Sequence, residues 1–433
     1  MSARYWHPVR SLSAFGVVLL ALTIRPASAQ ENKQSVDDAG GLLSAHAIAG
    51  DNRQAAEPAD ARTSAALQRL EQITKEEMQR WKLPGVAIGI VKGDELIYAQ
   101  GFGRRDVFKN LPVTPNTNFS LASMTKAFTA MTHGLLVEEG SIRWDTPIKT
   151  RVPDFYLRDP DLEGKVTLRD ILSHRTGLTD KDSLWTSGEY RAEGIFSHLK
   201  ELEISAPLGE HHEYNNIMYI SAGVLVEKLK GTSWNALLKD RLFKPLQMTH
   251  SGCSVEELLG TKEYSYSFSY SPSEDGYDRN EFPGPEHNSW YYPRASGSVF
   301  SNVQDMGAWM IFQLNAGKYK GKQIVAAEIV QETHRPQVRL SSPPFYLDYP
   351  EVTDHAYGLG WFVDRYRGFR RVHHGGTSLG YSNYIVLFPD ERIGVVILSN
   401  RAVLMPVELS YYAADLLLGL EVRDWKGRFN PKD

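Results

Sequence analysis

The strand-like segments of this chain lie at its two ends, with a long helical and loop-rich stretch between them, and no other feature restricts its fold as much. Val86 to Val91 and Glu95 to Tyr98 are β-rich runs separated by Lys92-Gly93-Asp94, and far along the chain Tyr381 to Phe388 and Ile393 to Leu398 repeat the arrangement around Pro389-Asp390-Glu391-Arg392. Each pair reads as a hairpin. From about Ser123 to Val330 helical spacing dominates: Asn216 to Lys230 groups Ile217, Ile220, Val224, Leu225 and Leu229, then stops before Gly231. Leu67, Leu70, Ile73, Met78 and Trp81 mark an earlier amphipathic helix ended by Pro84-Gly85, and Glu408 to Leu418 a closing one. The pattern predicts an α+β fold in which an antiparallel sheet is assembled from distant segments, flanked by helices, with a mostly helical subdomain inserted and a cleft between the two parts.

A chain of 433 residues, 42% hydrophobic and 23% charged, can bury a core large enough for one domain or two subdomains. With 48 basic against 52 acidic residues there is no cationic excess to hold nucleic acid, so no such partner is expected. Cys253 is the only cysteine, which rules out an intrachain disulfide and a thiolate metal cluster; it fits a small buried apolar position near Pro245-Leu246. At the start, Arg4 and Arg10 precede an apolar run from Ala14 to Ile24, and Ala27-Ser28-Ala29 forms a small-residue cleavage site before Gln30. That run is too short to span a bilayer as a helix. Residues 1–29 therefore read as a signal peptide, with a residual membrane anchor as the alternative, giving a periplasmic or secreted protein with no stable membrane insertion after cleavage. Residues 30–64, rich in Ala, Asp, Gln and Gly, read as a flexible leader, 65–425 as the folded domain and 426–433 as a C-terminal tail.

The most informative stretch is Phe119-Ser120-Leu121-Ala122-Ser123-Met124-Thr125-Lys126, followed by the helical apolar positions Ala127, Phe128, Met131, Leu135 and Leu136. With Ser123 in the first turn, Lys126 lies three residues on and on the same face. A serine hydroxyl is a poor nucleophile until a base takes its proton, and a lysine can do so only as the neutral amine, which burial favours. The helix N-terminus beside Ser123 would also stabilise charge growing on a bound carbonyl oxygen. A bare Ser-x-x-Lys string occurs by chance in many helices, so the case rests on what accompanies it.

Two further segments do. Tyr214-Asn215-Asn216 immediately precedes the helix that begins near Asn216; a loop tyrosine there can point into the cleft and exchange protons with the serine or the leaving group, while Asn216 can bond both the lysine and a substrate amide. The bland alternative is a tyrosine packed at a helix start with an asparagine cap. His373-His374-Gly375-Gly376-Thr377 precedes the late hairpin, and its adjacent glycines would let a substrate approach the backbone, with a backbone N–H facing that of Ser123. His373 is the expected polar side chain of the cleft wall, donating to substrate or to the hydroxyl network. A metal site is the competing reading, with His211-His212-Glu213 as further ligands. Adjacent histidines on an extended segment point in opposite directions, however, and neither cluster has the spacing of a zinc-protease helix.

Taken together, Ser123-Met124-Thr125-Lys126, Tyr214-Asn215-Asn216 and His373-His374-Gly375 resemble the ordered signature of the serine beta-lactamase and penicillin-recognising superfamily, and most closely its class C branch with the related DD-peptidases and esterases. Leu168 to Leu178 and Pro245-Leu246-Gln247-Met248 are supporting strings, and the resemblance covers roughly Leu67 to Leu418. It implies Ser123 as nucleophile, Lys126 as its basic partner, Tyr214 as proton shuttle, and Asn216, His373, Gly375 and Gly376 in substrate binding. It also implies an oxyanion hole from the Ser123 and Gly376 amides, with no cofactor and no metal. The implied activity is hydrolysis of a small amide or D-amino-acid-containing peptide, or of an ester, through an acyl-enzyme, with a class C-like beta-lactamase or a non-catalytic peptidoglycan- or peptide-binding protein as alternatives. Three departures stand out: Asn215 replaces the more usual serine or alanine, the loop after Gly376 is one residue longer, and His373 falls where true class C enzymes carry a lysine. A mostly neutral histidine attracts a substrate carboxylate only weakly.

Several other segments carry expectations. Lys75-Glu76-Glu77 and Arg365 to Arg371 should face solvent, and His174 reads as structural. Tyr264 to Tyr270, Trp290-Tyr291-Tyr292 and Phe345-Tyr346 either line an apolar substrate pocket or cover long loops.

Overall fold

The computed structural model describes residues 59–181, 194–282 and 294–431. The expected signal peptide, all of the leader before Ala59 and the Trp290 to Tyr292 aromatics lie outside the described residues. All elements below belong to the unit Glu57–Asp433.

A helix, α1 (Ala59–Arg80), leads into β1 (Gly85–Lys92), β2 (Glu95–Asp106) and β3 (Leu111–Pro112). The helical region follows, including α2 (Thr125–Glu138), α3 (Asn216–Lys230) and α4 (Val303–Leu314). The chain then returns through β4 (Val338–Arg339), β5 (Val352–Tyr357), β6 (Phe362–Tyr366), β7 (Phe369–Ser378), β8 (Tyr381–Phe388) and β9 (Ile393–Ser399), and closes with α5 (Met405–Leu417). These strands form one nine-stranded sheet in the order β4-β5-β6-β7-β8-β9-β1-β2-β3. Early and late strands meet inside the sheet, where β1 pairs antiparallel with β9, Val86 opposite Ser399 and Lys92 opposite Ile393.

β1 is buried on both faces, which is why it reads as a continuous apolar run rather than an alternating one. Val86, Ile88 and Ile90 join the core under α1 and α5, while Ala87 and Val91 join the larger core shared with α2, α3 and α4. The sheet is thus a middle layer with helices on each side. Every element expected from the β and helical runs is present, but β2 continues past Tyr98 to Asp106, and the region from Tyr357 to Val363 is the end of one strand and the start of the next.

Helix α1 already covers Ala59 to Ser64, residues that the sequence reading gives to the leader. Within the segment read as a C-terminal tail, Phe429 is buried, and Arg428 makes a two-pronged ion pair with Glu351 at 2.7 and 2.9 Å. Cys253 is buried as expected.

The charged stretches correct the reading more sharply. Glu77 is buried beside Glu408 of α5, with Arg80 bonded to both carboxylates and Trp81 Nε1 donating to Glu408 at 2.7 Å. Arg371 is buried as well, its guanidinium bonded twice to Asp364 at 2.7 Å. In both places a local partner of opposite charge permits burial that composition alone forbids.

Burial, reinforced by the neighbouring Glu77 charge, pushes the Glu408 carboxyl up to about 7. A carboxyl raised in the folded state stabilises the fold when protonated, and that contribution is lost as pH rises through its folded value. Thermal melts should therefore show stability rising by about 1 kcal/mol from pH 8.5 to 6.5, a slope that Glu408→Gln removes. Parallel slopes for the two proteins would contradict this.

Candidate active site

Ser123 lies in a single 3-10 turn, Ala122–Met124, that runs directly into α2. Ala122 before it adopts φ 49°, a left-handed conformation costing about 1 kcal/mol or more for a residue with a Cβ. The turn is held from several sides. Leu121 N–H donates to Val299 O at 2.8 Å, Val299 N–H donates to Thr125 Oγ1 at 3.0 Å, and Asn383 Nδ2 donates to Ser120 O at 2.8 Å. Gly376 of β7 completes the clamp: a Cβ there would sit 2.0 Å from Leu121 O, so only glycine lets the strand come this close. The result is a half-buried Ser123 between the buried Ala122 and Met124.

Lys126 is fully buried one turn on. Its Nζ lies 3.0 Å from Ser123 Oγ, 2.8 Å from Asn216 Oδ1 and 3.1 Å from Ser296 O, and 4.8 Å from the centre of the Tyr214 ring. The two carbonyl-type oxygens can only accept. A neutral amine with two N–H bonds and one lone pair meets the set by donating to both carbonyls and accepting from the serine; the ammonium meets it by donating to all three. The proton can move from Ser123 to Lys126 without a change of partners.

Asn216 opens α3, and Asn215 caps that helix, its Oδ1 accepting Met218 N–H at 3.0 Å while its Nδ2 donates to Leu178 O at 3.0 Å and Thr179 O at 3.1 Å. Asparagine where serine is usual thus both caps the helix and ties it to the segment after His174. The His174 ring stacks on Tyr214 at 4.3 Å, and its Nδ1 accepts Asn215 N–H at 3.0 Å, which puts the ring proton on Nε2. Burial, aided by His212 and Lys126, holds His174 well below the usual histidine range, so it stays neutral. It is the structural residue that the sequence suggests, and its task is to seat Tyr214.

Two assignments on β7 shift by one residue. His373 is buried on the far face of the sheet, its Nε2 2.9 Å from Asp364 and its Nδ1 2.7 Å from Tyr384 OH. It does not face Ser123. Side chains alternate along a strand, so the cleft-facing histidine is His374, whose ring lies 6.4 Å from that of Tyr214. Its Nδ1 lies 2.6 Å from Gly375 O and its Nε2 3.0 Å from Tyr357 OH, and burial, then Lys126, pushes it down to about 3. His374 is a neutral wall with both nitrogens engaged, rather than a donor reserved for substrate.

The same parity decides the backbone. Leu379 and Gly380, at φ 49° and 86°, form a two-residue turn closed by the pair Ser378 and Tyr381. Counting back from that hydrogen-bonded pair, Gly376 directs its N–H to Asn383 of β8, while Gly375 and Thr377 turn theirs to the opposite edge. β6 has ended there, its pairing with β7 stopping at His373. The amides that β8 leaves open at this edge are therefore those of Gly375 and Thr377, and Gly376 serves by close approach. Thr377 is the oxyanion-hole candidate that the sequence reading passes over; counting from the two-residue turn brings it forward in place of Gly376.

The remaining expected features fall elsewhere. Tyr264 and Tyr266 cluster with Phe282 at 5.6 and 5.3 Å, beside the turn at Leu379, whose carbonyl accepts from Ser267 Oγ at 2.5 Å. Tyr346 packs under the sheet next to Tyr411, away from the serine. Among the described residues, no group of three or more His, Cys, Asp or Glu could hold a metal ion, and no helix is long and apolar enough to cross a membrane.

An antiparallel sheet flanked by helices, with a serine and a buried lysine one turn apart at its edge, defines the beta-lactamase and DD-peptidase architecture. The family model described as Beta-lactamase matches residues 70–419, and the chain belongs to that family. It is 28% identical over 347 residues to Protein flp of Staphylococcus aureus (strain NCTC 8325 / PS 47), covering 78% of this chain and 64% of the relative. It is 28% identical over 349 residues to Unguisins hydrolase ungD' of Aspergillus campestris, covering 76% and 60%. The chain thus spans less than two thirds of the length of these curated relatives. Among solved structures, the octameric penicillin-binding protein homologue from Pyrococcus abyssi superposes with a TM-score of 0.71 at 26% identity, covering 85% of this chain and 78% of that one. A penicillin binding protein from Bacillus halodurans shares the fold at a TM-score of 0.62 and 21% identity, covering 79% and 98%.

Replacing His174 by Ala removes the acceptor of a buried amide and leaves a cavity beneath Tyr214. Chemical denaturation should show a loss of about 2–4 kcal/mol. A loss under about 0.5 kcal/mol would mean that the ring does not support this segment.

Proposed function

We propose that the protein is a serine hydrolase that works through an acyl-enzyme on Ser123 and cleaves a small amide, peptide or ester outside the cytoplasm. The observation that carries this reading is the 3.0 Å contact between Ser123 Oγ and a fully buried Lys126 that also meets two carbonyl oxygens, Asn216 Oδ1 and Ser296 O. In the first half of the cycle, Ser123 Oγ attacks the carbonyl carbon and its proton passes to Lys126 Nζ. The oxyanion so formed is met by the amides of Ser123 and Thr377, and by the helix N-terminus behind the serine. Collapse breaks the bond to the leaving amine or alcohol, which takes a proton delivered through Tyr214 from Lys126. In the second half water attacks the acyl carbon and gives up a proton to the same pair, and collapse breaks the bond to Ser123 Oγ, which takes that proton back as the acid leaves.

A second reading, a class C-like beta-lactamase, is favoured by the family match and by the two penicillin-binding neighbours. It differs only in the acyl donor. The neutral His374 in the wall supports donors that do not depend on a charged side chain at that position, which is why amides and esters lead here.

Mass spectrometry after incubation with a fluorophosphonate or a penicillin should show an adduct on Ser123 that Ser123→Ala does not form. Turnover across nitrocefin, short p-nitrophenyl esters and D-Ala-D-Ala peptides then selects the donor, with rapid nitrocefin opening choosing the second reading. No adduct and no turnover, together with peptidoglycan-fragment binding unchanged in Ser123→Ala, would instead make the chain a non-catalytic binding protein.

A further inference from the structure

Lys126 is not the end of the hydrogen-bonded chain that starts at Ser123. Beyond it, Asn216 accepts from Lys126 Nζ through Oδ1 at 2.8 Å, and hands its own two donors, the backbone N–H and Nδ2, to a single oxygen of Asp180, each at 3.1 Å. Asp180 follows the His174 segment that seats Tyr214, and the Asn215 bonds to Leu178 and Thr179 bring it against the start of α3.

An asparagine amide can sit in a site in two orientations related by a half-turn, and its partners decide between them. Here the partners leave no choice. Turned over, Asn216 would set its carbonyl oxygen against the Asp180 carboxylate and its amide N–H against Lys126. The second contact matters for chemistry, because an N–H aimed at Nζ competes for the lone pair that must receive the proton of Ser123. In the observed orientation Asn216 accepts from Lys126, which turns the lone pair toward the serine. The carboxylate also lies at the N-terminal end of a 15-residue helix, where the helix dipole favours negative charge.

We infer that Asp180 is a positioning residue for the reaction: it locks the Asn216 amide so that Lys126 presents its lone pair to Ser123, and it supplies the negative charge that stabilises the lysine once protonated. The inference rests on the acyl-enzyme reading above, and Asp180 acts through Asn216 without touching substrate. Among the described residues, the other titratable groups facing Lys126 include Tyr214 and Tyr219, whose rings lie 4.8 and 5.5 Å from Nζ, and the neutral His174 and His374.

Two measurements test it. The first is the rate of Ser123 acylation by a fluorophosphonate in wild type, Asp180→Ala and Asp180→Asn, repeated in an Asn216→Ala background. Asp180→Ala should slow acylation 10- to 100-fold with the thermal midpoint little changed. Asp180→Asn, which keeps an acceptor, should recover most of that loss, and neither substitution should slow acylation further once Asn216 is gone. The second does not depend on turnover: the pH titration of Lys126 followed by ¹⁵N NMR in Ser123→Ala, where removing the carboxylate by Asp180→Asn should move the midpoint to lower pH. Undiminished acylation in Asp180→Ala, an equal loss in the Asn216→Ala background, or an unmoved Lys126 midpoint would each overturn the assignment. Absence of wild-type acylation with a shifted midpoint would overturn the hydrolase reading and leave the role of Asp180 standing.

Discussion

Everything at this site depends on keeping an amine out of water one helical turn from a serine. Transfer of a cationic side chain into a protein interior favours its neutral form, and a neutral amine is what a serine hydroxyl requires as a base. Lys126 has no exposed surface and, among the described residues, meets Ser123 Oγ, Asn216 Oδ1 and Ser296 O, the first being the proposed nucleophile. Were those partners missing, burial would leave the ammonium uncompensated at a cost of several kcal/mol.

The fold provides two of these partners from remote segments and closes the site with a third. Ser296 contributes a backbone carbonyl from the helical region, Asn216 comes from the first turn of α3, and β7 closes the opposite side by pressing Gly376 against Leu121. The strained Ala122 is tolerated because this clamp holds the turn from both directions. The sheet that carries β7 is stitched together by the pairing of β1 with β9. Joining early and late strands there makes the cleft a property of the whole domain rather than of any single loop.

Much of this was legible in the sequence, for reasons that differ by residue. Ser123 and Lys126 were readable because helical spacing converts a separation of three into a shared face, and α3 was bounded correctly by Asn215 before it and Gly231 after it, the latter at φ 64°. β7 was harder. Two adjacent histidines and two adjacent glycines are symmetric to the eye, and only the turn at Leu379-Gly380 fixes the parity that turns His374 to the cleft and Thr377 N–H to its edge. Glu77 and Arg371 turn inward because each has a partner of opposite charge, Arg80 one turn on in α1 and Asp364 across a hairpin, and composition does not show which charges are paired. Asp180 carried no motif at all; its bonds to Asn216 exist only once the two segments meet.

The central claim is that Lys126 takes the proton of Ser123. Its most direct test is the pre-steady-state rate of Ser123 acylation in Lys126→Gln, a side chain that keeps polar contacts but offers no basic nitrogen. The account predicts a fall of roughly 10²–10⁴-fold or more with the fold intact by circular dichroism and thermal melting. Acylation at the wild-type rate in a folded Lys126→Gln protein would contradict it and return the role of base to another group in the cleft.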